Sequence, residues 1–157
     1  MSLSIDNLIQ NKKQVFLKDF YGASFARFTA KQFQKSMQPI GIVVDDMNAA
    51  KELADELCFF LNKDSVSIMP AHDTLAYSGL APHPENAKKN LQVMSSLLQN
   101  DSLIYIFPAN SLFLKHMPKA HFKNLLFKIS NNDTLRREDL IAELTHRGYE
   151  RVPLVED

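Results

Sequence analysis

The chain alternates short apolar runs with stretches in which apolar residues recur every three or four positions, the pattern of strands interleaved with amphipathic helices. Val15-Phe16-Leu17 predicts a first strand, which runs through Lys18 to Ala26, with Gly22 as the turn glycine, into a helix carrying Phe25, Phe28, Phe33 and Met37 on its apolar side. Ile40-Gly41-Ile42-Val43-Val44 is a continuous apolar run and predicts a strand buried on both faces of a parallel sheet. Asp45 or Asp46 then caps a helix whose apolar positions are Met47, Ala50, Leu53, Ala54, Leu57, Cys58 and Leu61. Val66-Ser67-Ile68-Met69 reads as a third strand, ended by Pro70. A helix follows from Pro84 to Gln99 with Leu91, Met94 and Leu98 inward, its proline tolerated in the first turn. Leu103-Ile104-Tyr105-Ile106-Phe107 is a fourth strand. This order predicts an α/β fold, a parallel sheet covered by helices with right-handed crossovers.

Pro108 marks a change. Residues 109 to 122 have the pattern of short helical turns, Leu125 to Ile129 of a strand, and Leu135 to Arg147 of a helix with Leu140, Ile141 and Leu144 inward and Gly148 just past its end. Tyr149 to Val155 is again extended. The predicted division is a first subdomain over residues 1–107 and part of a smaller α/β subdomain over 108–157. One strand, one helix and the start of a second strand hold little core, so the second piece reads as truncated, with an unpaired edge at Tyr149 to Val155 open to self-association. Between the third strand and the next helix, Ala71 to His83 has no periodicity, with prolines at 82 and 84 and a glycine at 79, which marks a functional or interface loop.

Composition narrows the classes. No apolar run approaches a membrane span, and Met1 to Asp6 has neither a basic region nor an apolar signal core, so the expected compartment is the cytoplasm. The single cysteine, Cys58, allows no internal disulfide and no cysteine-rich metal site; it sits in a helical apolar stripe as an inert thiol. Eighteen basic residues balance eighteen acidic ones, so no global field steers the chain onto nucleic acid. The local exception is Lys115 to Lys128, with four lysines, two histidines and no acidic residue, which reads as a solvated, weakly basic face.

Candidate chemistry begins at Gly22. A phosphate-binding loop, G-x-x-x-x-G-K-[S/T], needs glycines for backbone approach to phosphate, a lysine for β/γ charge and a hydroxyl for magnesium. Laid on that pattern, Asp19 and Ser24 replace the glycines, Phe25 the lysine and Ala26 the hydroxyl. Gly22, Ala23, Ser24 and Phe25 are then a vestigial loop with no cofactor to bind. Asp45-Asp46 after a buried strand suits helix capping, and also a receiver-like signalling domain or a Walker B carboxylate. The receiver lacks a phospho-accepting aspartate at the end of the third strand, and the Walker B site lacks a phosphate to bridge. The histidines at 72, 83, 116, 121 and 146 form no metal-binding pair on one helical face, and His72-Asp73 near Ser78 lacks a nucleophile turn. His83, between two prolines, orders its loop by hydrogen bonding. No catalytic or metal residues are assigned; the alternative is a nucleotide- or phosphate-dependent α/β enzyme using Asp45, Asp46 and the 71–83 loop.

The order of these segments resembles the N-terminal region of the bacterial transcription-repair coupling factors, the Mfd family. The similarity rests on the failed loop, the strand ending in Asp46-Met47-Asn48-Ala49, and Met69-Pro70-Ala71-His72-Asp73-Thr74-Leu75-Ala76-Tyr77 followed by Ala81-Pro82-His83-Pro84. Ile106-Phe107-Pro108-Ala109-Asn110-Ser111-Leu112 and Gly148-Tyr149-Glu150-Arg151-Val152 extend it, so that it spans residues 12 to 157. His72 stands where that family usually has an aromatic residue and Ala76 where it has proline. The resemblance implies a helicase-like, UvrB-like nucleotide fold of the P-loop NTPase type without ATP chemistry, followed by a subdomain that recruits UvrA. The UvrA-contacting segment would fall after Asp157, so partner-binding residues are not carried onto this chain. The same resemblance implies that RNA polymerase, DNA and ATP are handled by motors elsewhere in the parent, which would be an ATP-dependent DNA translocase.

Overall fold

The computed structural model describes Gln14, Phe16, Lys18 and Phe20, and residues 22–71, 83–113, 115–127, 129–131 and 133–152. The chain divides into two compact units, Met1–Leu114 and Lys115–Asp157.

In the first unit, helix α1 (Ala23–Ser36) leads to strand β1 (Ile40–Val44), then α2 (Met47–Cys58), a 3-10 turn (Lys63–Ser65), β2 (Val66–Ile68), α3 (Pro84–Gln99), β3 (Ile104–Pro108) and a second 3-10 turn (Ala109–Phe113). The strands form an open parallel sheet in the order β1-β3-β2. Ile40 stands opposite Ile104 and Val44 opposite Pro108, while Val66 and Ile68 stand opposite Ile104 and Ile106. One further bond, from the Met69 N–H to the Ile106 carbonyl at 2.9 Å, carries the β2 pairing a residue beyond the strand.

Because side chains alternate across a strand, β3 feeds two cores. Ile104 and Ile106 join Ala26, Ala30 and Phe33 of α1, Ile42 of β1, and Ala50, Leu53 and Leu57 of α2. Tyr105 turns to the other face, where it packs with Met69 and with Val93 of α3, Met94, Leu97, Leu103 and Phe107 closing around them. Helices therefore cover both faces of the sheet, as the alternating pattern predicts.

Several positions differ from the sequence reading. Only Ile42 of β1 is buried and Val43 is 60% exposed, because among the described residues β1 pairs on one side alone, with β3. The buried face of α1 is Ala26, Thr29, Ala30 and Phe33, while Met37 leaves the helix as a left-handed cap at φ 52° and is exposed. In α3 it is Val93 that is buried, and Leu91 is 56% exposed. Small residues set these faces: Ala26 and Ala30 let α1 approach the sheet closely, a signal that counting large apolar residues misses. The predicted first strand falls largely outside the described residues; Phe16, within it, is 84% exposed. Residues 72–82 of the long loop, and with them His72, Asp73 and Ser78, also lie outside.

The second unit holds helices α4 (Lys119–Leu125) and α5 (Arg137–His146). The strand predicted at Leu125 to Ile129 is absent among the described residues: Leu125 ends α4, and Leu126, Phe127 and Ile129 are irregular and exposed. An apolar run alone does not make a strand when no neighbouring strand offers hydrogen bonds. Gly148 ends α5 as expected, at φ 88°, with its N–H bonded to Thr145 and that of Tyr149 to Leu144. Tyr149 and Val152 are exposed and outside any strand, and Pro153 to Val155 lie outside the described residues.

One side chain ties α5 to the segment after α4. The Arg147 guanidinium contacts Glu143 at 2.6 Å, donates to the Leu125 carbonyl, and lies 5.2 Å from the centre of the Phe127 ring. Replacing Arg147 with methionine keeps the stem and removes these contacts; faster amide exchange throughout α5 is the expected outcome, with a loss of about 1–2 kcal/mol of local stability. In the first unit, Leu57→Ala should lower the unfolding free energy by about 2–5 kcal/mol in a urea titration. Leu91→Ala, at an exposed position, should change it by less than about 0.5 kcal/mol.

Candidate functional site

Gly22 makes the turn into α1 with φ 52° and ψ −138°, a conformation that a side chain disfavours. Its carbonyl accepts the Phe25 N–H at 3.1 Å, no side chain caps the helix, and the first turn carries no acidic residue. The partial positive charge of a helix start is met instead from the neighbouring helix. Oε1 of Glu56, on α2, lies 3.8 Å from where a β-carbon on Gly22 would stand. Of the four residues of the predicted vestigial loop, Ala23 and Ser24 are exposed at the surface and Phe25 packs against the first core.

The carboxylates after β1 have separate roles. Asp46 is the N-cap of α2, its Oδ1 accepting the Ala49 N–H at 2.8 Å in extended backbone geometry. Asp45 is exposed beside it. Capping is thus the observed role of Asp46, the bond that a helix start after a buried strand requires. His83 takes the same role at α3, its Nδ1 accepting the Glu85 N–H at 3.3 Å, with Pro84 in the first turn. Cys58, at the end of α2, is a free, half-buried thiol. Among the described residues no group of three or more histidine, cysteine, aspartate or glutamate side chains is placed to hold a metal ion. None of their helices is long and apolar enough to cross a membrane.

Beside the Gly22 turn lies a groove of about 560 Å³ lined by Ala23, Ser24, Arg27, Phe28, Lys31 and Phe60. Phe60 is anchored on the first core, and its carbonyl accepts from the Gln34 amide at 3.4 Å. Phe28 is held by Phe20, ring centres 5.3 Å apart and edge to face. Sequence reasoning placed Phe28 in the core stripe and overlooked Arg27, Lys31 and Phe60. The spacing of Arg27 and Lys31, one helical turn apart, was the available signal; the approach of Phe60 and of Glu56 is tertiary and has no local signature.

The basic segment from Lys115 is exposed through Lys119, His121 and Lys123, while Lys128 lies outside the described residues. The second unit also exposes Met117, Leu125, Leu126, Ile129 and Leu135, with Phe122 its buried apolar residue among those described.

The fold defines an α/β protein with a small open parallel sheet, and its candidate surfaces are the α1 helix start with its groove and the weakly covered second unit. No protein-family model matches the chain. Transcription-repair coupling factors do: that of Escherichia coli is 24% identical over 143 residues, covering 91% of this chain and 12% of its own length. The Bacillus subtilis factor is 22% identical over 151 residues, 96% of this chain and 13% of its own. The factor of Myxococcus xanthus is 27% identical over 143 residues, 87% of this chain and 12% of its own. The chain is therefore related to one region of the transcription-repair coupling factors, and spans about an eighth of the length of the relatives it matches.

The cap assignment is measurable. Asp46→Ala should cost about 1 kcal/mol in thermal or urea unfolding. Asp45→Ala should stay within about 0.5 kcal/mol, and adding magnesium should not change the difference between the two.

Proposed function

We propose that this chain is a non-catalytic, UvrB-like N-terminal piece of a transcription-repair coupling factor, acting in the cytoplasm within the module that recruits the excision-repair protein UvrA to stalled RNA polymerase. The observation that carries the reading is the run of similarity to those factors along 87–96% of the chain in three of them. The first unit then serves as a P-loop-like, helicase-like scaffold whose nucleotide site is degenerate. Phe25, at the position of the phosphate-binding lysine, supports this by packing on the core. So does Glu56, whose carboxylate at the start of α1 repels an incoming phosphate where a working loop would attract one. The second subdomain, beginning after β3, carries the UvrA-recruiting role, and contacts with DNA and RNA polymerase belong to other parts of the parent.

Two measurements test the reading. Isothermal titration with ATP and magnesium should give no heat of binding and no turnover; micromolar ATP affinity overturns the non-catalytic assignment. In a pull-down, a form extended to include a complete second subdomain should retain UvrA, and failure of that extended form to do so overturns the recruiting role.

A further inference from the structure

The groove beside Gly22 combines features that neither the degenerate nucleotide site nor UvrA recruitment uses. Arg27 and Lys31 are exposed, one turn apart on α1, so their stems are separated by about 6 Å along the axis. Among the described residues neither forms an ion pair. The floor and walls are apolar, from Ala23, Phe28 and Phe60, and the rings of Phe28 and Phe60 are fixed by their packing. Next to them Phe59 is 85% exposed, touching Phe60 edge to face with ring centres 5.3 Å apart. A large aromatic side chain held in water beside a preformed apolar groove contributes little to folding and much to a contact.

We propose that this groove docks an acidic segment of a protein partner, which inserts one large apolar side chain against Phe28 and Phe60 and sets flanking carboxylates on Arg27 and Lys31. The volume, about 560 Å³, suits one aromatic or branched side chain with its neighbours rather than a folded surface. Two cations one turn apart match carboxylates one turn apart on a helical segment. A nucleic acid fits less well. Its continuous phosphate backbone, leaving the two cations toward the start of α1, would meet Glu56. The zero net charge of the chain gives a long polyanion no compensating field. A short acidic peptide engages the local cations alone.

The test uses the whole chain, isotopically labelled, titrated with a synthetic peptide that places one phenylalanine among glutamates. Expected are chemical-shift changes centred on Arg27, Phe28, Lys31 and Phe60, and an affinity that falls as salt rises. The double variant R27E/K31E, changed only at exposed positions, should keep its circular dichroism and lose about tenfold or more in affinity. Phe59→Ala, also exposed, should weaken binding without altering the fold. A peptide with serine in place of the phenylalanine should bind weakly. The proposal is overturned by shifts that map elsewhere, by equal binding of the serine peptide, or by no binding of the phenylalanine peptide. It is equally overturned by preferential binding of an oligothymidine strand, or by self-association through this groove. Loss of UvrA capture by the extended form leaves this result untouched, since the readout lies on the first unit.

Discussion

Everything in the first unit depends on β3 being shared. Among the described strands it is the one that pairs on both sides, with β1 and with β2, and its successive side chains enter different cores. Ile104 and Ile106 close the space beneath α1 and α2, and Tyr105 closes the one beneath α3. The Tyr105 hydroxyl reaches the carbonyl of Asp101 at 3.2 Å, so even the polar end of that ring is satisfied without opening the core. Among the residues that line these cores no buried side-chain nitrogen or oxygen lacks a partner. The β2 segment contributes to both in the same way, Val66 and Ile68 to the first core and Met69 to the second.

Parts of this arrangement were legible in the chain because they are local. An apolar pentamer bounded by turn residues specified β3, an aspartate ahead of a three-and-four repeat specified the start of α2, and a proline after a histidine specified the start of α3. Gly148 announced the end of α5. The errors have a common origin: burial was inferred from size. Met37, Leu91 and Val43 are large and apolar, yet they are exposed, while Ala26 and Ala30 are buried. Close approach of a helix to a sheet is decided by where the small residues lie, and the large ones at the margins are left over. The predicted strand near Leu125 failed for a different reason, since strand formation needs a partner that the sequence of one segment cannot supply.

The candidate surface was less legible than the fold. The loss of the lysine is visible in the sequence, but the carboxylate that faces Gly22 comes from thirty-four residues away and from another helix. The groove likewise needs Phe60 brought onto α1 by the packing of α2. Both features follow from one contact, that of α2 against α1, which was itself readable as two amphipathic helices with no indication of which turns would meet. The second unit presents the opposite balance. Among its described residues Phe122 is the buried apolar one, and a single guanidinium gathers a carboxylate, a carbonyl and an aromatic face.

The exits of α1 and α3 are built alike, each through a left-handed residue, Met37 and Asn100. The hydroxyl of Ser102 then donates to the Met37 carbonyl at 2.7 Å, and the Ile40 N–H to that of Leu103 at 3.1 Å. These bonds join points some sixty residues apart, across a segment that includes α2, β2 and α3. Closing so long a loop is entropically costly, and the rate of folding is set by such distant contacts more than by the helices between them. The Ser102 clamp spans the same loop as the pairing of β1 on β3, so it closes no further loop and adds its hold to an alignment whose entropic cost the strand pairing already carries.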